Sequence, residues 1–138
     1  MRLRVMTLPL LVVVAGGTLV TSRDAAPPEA REAKVTAACT GGHGHISPNS
    51  RGLRKIDHVV WTSVSPKAVS WTITPKDPKD WPWSQMSFAG TPSSPATTPQ
   101  PLSTARVGEP PYEYKVLVVC EDGTTETIDP DIIIESGE

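Results

Sequence analysis

From Tyr112 to Cys120 the chain alternates: Tyr112, Tyr114, Val116, Val118 and Cys120 share one parity, and Glu113, Lys115, Leu117 and Val119 the other. Successive side chains of a strand point to opposite faces, so each parity is one face of a strand. Leu117 and Val119 make the second face partly apolar as well, which predicts a central strand. Asp122-Gly123 follows at once, and glycine accepts the positive φ of a tight hairpin turn at little cost. Thr124 to Ile128 should return antiparallel, Asp129-Pro130 should form a corner, and Asp131 to Glu135 should form a last short strand. Upstream, Asp57, Val59 and Trp61 share a face opposite Ile56, His58 and Val60. Val69, Trp71 and Ile73 alternate with Ser70, Thr72 and Thr74 until Pro75 ends the run. Beyond the apolar N-terminal run, no segment shows a convincing helical period.

Composition matters chiefly through proline. The chain has 138 residues and 15 prolines, roughly twice the usual ~5%. Such a chain is poorly suited to a helical bundle or a nucleotide-binding α/β fold. Pro48, Pro75 and Pro130 bound strands, while Pro92, Pro95, Pro99, Pro101, Pro110 and Pro111 fall within the Ser- and Thr-rich stretch 89–111. The length fits one domain. Tyr112 to Glu138 is too short to bury a core of its own, so it must pack on the strands of 46–74. The stretch 89–111 is therefore expected to be a long loop inside one domain, not a linker between two.

The N-terminus reads as an export signal. Met1-Arg-Leu-Arg is a positive start, Thr7 to Val20 an apolar run, and Val20-Thr21-Ser22 a small-residue cleavage site. The run is shorter than the ~20 residues a membrane span needs. The expected layout is a signal peptide at 1–22, a flexible spacer at 23–38 with no apolar stripe, and a β domain at 39–138. Without Arg2 and Arg4 the 13 basic residues fall to 11, against 15 acidic ones. That balance is wrong for a nucleic-acid binder. Cys39 and Cys120 are the two cysteines, and an oxidising compartment would permit one bridge between them. Two free thiols are the alternative.

The order Ile46-Ser47-Pro48-Asn49, Ile56-Asp57-His58-Val59-Val60-Trp61, Ser70-Trp71-Thr72-Ile73, Tyr112-Glu113-Tyr114 resembles the layout of cupredoxin-like domains. In these small secreted β-sandwiches, a strand ending in Pro leads into a turn carrying Asp. A strand ending in Trp follows, and a late strand carries Tyr-x-Tyr. The resemblance spans 46–74 and 112–135. It implies a small antiparallel β-sandwich, for which an immunoglobulin-like form is the alternative. It does not carry the family's copper site, which needs two imidazoles and a thiolate. Ala68-Val69-Ser70 stands where the first histidine is expected, Val116 to Val119 offers no ligand, and neither His nor Met follows Cys120. No cofactor is expected.

Candidate site residues are few. His43 and His45 form a His-x-His pair in a glycine-rich segment, a spacing at which imidazoles ligate copper, nickel or zinc. His58 is a third imidazole that the sequence does not place. Trp61 and Trp71 belong to the core. Trp81-Pro82-Trp83, with Met86 and Phe88, reads either as a binding surface for a protein or glycan partner or as an aromatic plug closing the core. Asp122, Asp129 and Asp131 are acidic, but their spacing matches no calcium loop. No phosphate loop, nucleophile elbow or His-Glu-x-x-His pair occurs. Asp57 and His58 face opposite sides of a strand and so make no dyad. The expectation is an exported, non-catalytic binding or envelope-associated module, periplasmic or extracellular, without a membrane span after leader cleavage. The alternative is a small metal-handling protein using His43 and His45.

Overall fold

A computed structural model of the chain describes residues 29–64 and 67–136. The expected signal peptide lies outside the described residues. Those described form ten strands and no helix: β1 (Glu32–Thr40), β2 (His43–Ser47), β3 (Ser50–Arg54), β4 (His58–Ser63), β5 (Ala68–Pro75), β6 (Phe88–Gly90), β7 (Ala96–Thr97), β8 (Tyr112–Cys120), β9 (Thr125–Ile128) and β10 (Asp131–Glu135). No helix long and apolar enough to cross a membrane occurs among them.

The strands build two mixed sheets. One runs β2-β1-β4-β7, and the other runs β3-β10-β8-β5-β6 with β9 also paired to β8. The expected architecture was wholly antiparallel, yet β1 runs parallel to β4 and β3 parallel to β10. The remaining named pairings are antiparallel. Buried side chains of both sheets join in one core, an arrangement consistent with a β-sandwich.

The expected spacer ends earlier than 38, because Glu32–Thr40 is β1, an interior strand of its sheet. Ala33, Val35, Ala37 and Cys39 point into the core, while Glu32, Lys34 and Thr40 are exposed. The period of two is present in the sequence. Three of its four inward residues are small or short, so the apolar signal is faint against the flanking charges.

The C-terminal reading holds. Tyr112, Tyr114, Val116, Val118 and Cys120 are all buried, β9 returns antiparallel beside β8, and Gly123 has φ 84° in the connecting turn. On β4, Val59 and Trp61 point inward as expected. On β5 one position is reversed. A register shift between Ala68 and Ser70 buries Ala68 and leaves Val69 38% exposed, so Val69 does not share the face of Trp71 and Ile73. A bulge places one extra residue on its strand and flips parity.

The stretch 89–111 includes the end of β6 and all of β7, so it is more than a loop. It passes from β6 on β5 in one sheet to β7 on β4 in the other. Beyond β7, Thr98 N–H donates to Val59 O (3.0 Å), Leu102 N–H to Pro82 O (2.8 Å) and Gln100 Nε2 to Ile56 O (3.1 Å). Arg106 donates to Asp80 Oδ1 at 2.7 Å and lies over the Tyr112 ring, 4.4 Å from its centroid.

Candidate functional site

The aromatic rings of the tryptophan segment are interior. Trp81 is 8% exposed, Trp83 1% and Phe88 4%. The two indoles meet edge to face with centroids 5.0 Å apart, and Trp83 packs in the same way on Phe88 at 5.8 Å. Each indole N–H is satisfied by backbone, Trp81 donating to Gln85 O (3.0 Å) and Trp83 to Pro99 O (2.8 Å). Trp81 also reaches Tyr114, and Phe88 stacks on Trp61. Buried rings with satisfied N–H groups add core contact area and offer no stacking surface. Of the four residues read as a possible binding surface, Met86 alone is exposed. The plug reading describes Trp81, Trp83 and Phe88.

The histidine pair is at the surface. Strand β2 alternates, with His43, His45 and Ser47 exposed and Gly44 and Ile46 buried, so both imidazoles leave the same face. His43 Nδ1 lies 3.2 Å from Glu126 Oε1 on β9. Glu126 Oε2 is buried and has no hydrogen-bond partner. Between β2 and β9 lies an open groove of about 570 Å³, lined by His43, His45, Ile46, Glu126, Ile128 and Asp129 among others. The structure does not bring His58 into this group. It sits on β4, with Nε2 3.7 Å from Glu32 Oε1. Among the described residues no group of three or more His, Cys, Asp or Glu could hold a metal ion.

A second cleft, of about 310 Å³, is lined by Arg31, Glu32, Arg51, Arg54, Asp57 and Glu135, together with Ala33 and Gly52. Sequence reasoning missed it, because its residues come from opposite ends of the chain. Asp57 is its fixed point. Oδ1 accepts from Arg31 N–H (2.9 Å) and Arg54 Nη2 (2.7 Å), and Oδ2 from Arg54 Nε (2.9 Å) and Arg54 N–H (3.1 Å). Burial opposes ionisation of this carboxyl. The Arg54 side chain and the two backbone donors outweigh it and hold the group below the usual carboxylate range. His58, the next residue, is half-buried and makes no hydrogen bond or ion pair with Asp57.

The acidic residues near the C-terminus have separate partners. Asp122 caps its own turn through Thr124 N–H (3.0 Å) and Thr124 Oγ1 (2.6 Å), and the Thr124 hydroxyl and N–H lower its pKa. Asp129 lies 3.9 Å from Lys76 Nζ, and Asp131 accepts from the Ser50 hydroxyl.

Cys39 of β1 and Cys120 of β8 form a disulfide with Cα atoms 5.8 Å apart. It joins one sheet to the other and leaves no free cysteine among the described residues. Comparison of the chain with protein-family models, with curated proteins and with solved structures finds no match.

Proposed function

We propose that this chain is an exported, non-catalytic binding module, periplasmic or extracellular, which takes a protein or glycan partner in the groove between β2 and β9. The groove carries the reading. It is open, of about 570 Å³, and its lining combines two imidazoles, two carboxylates and the isoleucines Ile46 and Ile128. Mixed polar and apolar linings of this kind orient a ligand as well as bury it. The disulfide supports export, since such bridges persist in oxidising compartments, and so does the leader-like sequence at 1–22. Two mixed sheets around a shared core are consistent with a β-sandwich; the finer description, cupredoxin-like or immunoglobulin-like without a redox copper site, rests on the order of residues in the sequence.

A photo-crosslinking residue at His45, introduced in the native cell, tests the function. One discrete partner captured from His45, and none from an equivalent residue at the exposed Val69 on β5, is the expected result. No adduct from His45, or the same adducts from both positions, would refute the groove. Fractionation with N-terminal sequencing tests export: recovery of intact Met1 in the cytosol would refute it.

A metal-handling role for His43 and His45 is the second reading, favoured by their common face on β2. Elemental analysis of untagged protein equilibrated with copper, zinc or nickel decides it. Less than about a tenth of an equivalent after gel filtration ends that reading, since two imidazoles make an incomplete ligand set.

A further inference from the structure

We propose that the cleft beside Asp57 is a binding site for a small oxyanion (a phosphate, sulfate or carboxylate group) with Arg51 as its principal donor. This inference is independent of the β2–β9 groove. Strand β3 is the edge of its sheet, and Arg51 occupies the same face of it as the buried Leu53. The Arg51 stem therefore runs along the margin of the core, and its Nε is buried with no hydrogen-bond partner. A buried donor left unsatisfied is costly, and a guanidinium is shaped for two-point contact with an oxyanion.

The surrounding residues leave that donor for a ligand. Both oxygens of Asp57 are engaged by Arg54 and by backbone N–H groups. Arg54 is held by Asp57 and also donates from Nη2 to Glu29 O at 3.0 Å. Glu32 is directed to His58, and the Glu135 carboxylate lies against Gly52. Arg31, Arg51 and Arg54 thus line a single cleft of about 310 Å³, in which Asp57 fixes one guanidinium and the Arg51 Nε–H has no acceptor. Glu32 and Glu135 in the same lining oppose an anion, which weakens the expected affinity and gives the site a signature. Removing the Glu135 charge should tighten binding.

The test is calorimetric titration of the full chain with inorganic phosphate, sulfate and acetate at constant ionic strength. Saturable binding is expected, weakened about tenfold or more in Arg51→Gln, the equivalent of one charge-assisted hydrogen bond. Glu135→Gln should bind several-fold more tightly. Lys76→Gln, whose ammonium faces Asp129 outside the cleft, should match the unaltered protein. Stronger binding of phosphate and sulfate than of acetate would identify a tetrahedral anion as the ligand; equal binding would identify a carboxylate, such as one borne by a partner. Absence of saturation with all three anions, or equal binding by Arg51→Gln, would overturn the site. Should Arg51→Gln not fold, the Arg51 Nε–H resonance of the unaltered protein is read during the phosphate titration. A saturating shift supports the proposal, and an unmoved resonance overturns it.

Discussion

Gly90 is where the Trp71 indole crosses a neighbouring strand. A Cβ at this position would overlap the indole nitrogen and come within 2.7 Å of Ala96 N. The Trp71 indole Nε1–H donates to Trp61 O at 3.0 Å, so the missing side chain keeps one tryptophan bonded to the backbone of the other. Gly90→Ala should therefore cost about 2 kcal/mol or more, from overpacking plus a broken buried hydrogen bond, read as a lower urea midpoint at unchanged slope. Tyr114 gives a second effect at this scale. Burial pushes its phenol up to about 12 from 10.0, against a weaker opposing contribution from Trp61 Nε1 at 3.4 Å. The folded chain thus keeps a proton that the unfolded chain loses near pH 10. Stability from this group is complete below about pH 10 and falls by about 1.4 kcal/mol per pH unit up to about pH 12. Tyr114→Phe should flatten that alkaline loss in unfolding curves taken from pH 8 to 12.

At the scale of elements, β5 shows what a bulge does to a sequence pattern. Val69 belongs by parity with Trp71 and Ile73, but the shift between Ala68 and Ser70 turns it outward. Val69→Thr should change stability by no more than about 0.5 kcal/mol, whereas Ile73→Thr should cost several-fold more in the same urea titration, because it buries an unpartnered hydroxyl. Strands β8, β9 and β10 were legible in advance because long alternation, Asp122-Gly123 and Asp129-Pro130 all point to the same chain path. Strand β1 was not, since Ala33 and Ala37 carry little apolar area, and its parallel pairing with β4 is set by packing that local sequence does not encode. The common face of His43 and His45 follows from spacing alone. The arginine cleft is invisible at this level, because Arg31, Arg51, Asp57 and Glu135 lie near or on β1, β3, β4 and β10 and meet only when the sheets close.

For the whole molecule, the Cys39–Cys120 bridge spans 81 residues and ties β1 to β8. In the chain-entropy account, closing such a loop stabilises the folded state by about 4–5 kcal/mol. Reduction should accordingly lower the thermal midpoint by well over 10 °C, at the usual 4–8 °C per kcal/mol for a domain of this size. An unchanged midpoint in dithiothreitol would show that the two-sheet core is sufficient without the bridge. The exposed connections at Gly41, at Lys76 to Lys79, at Ser84 to Ser87 and at Leu102 to Thr104 all lie between the two half-cystines. A protease that cuts the chain once at any of these places therefore releases nothing. The two pieces stay covalently joined, run as one species without reductant and separate only when the sulfurs are parted. Wherever it meets a protease, the molecule can be nicked and still remain a single particle.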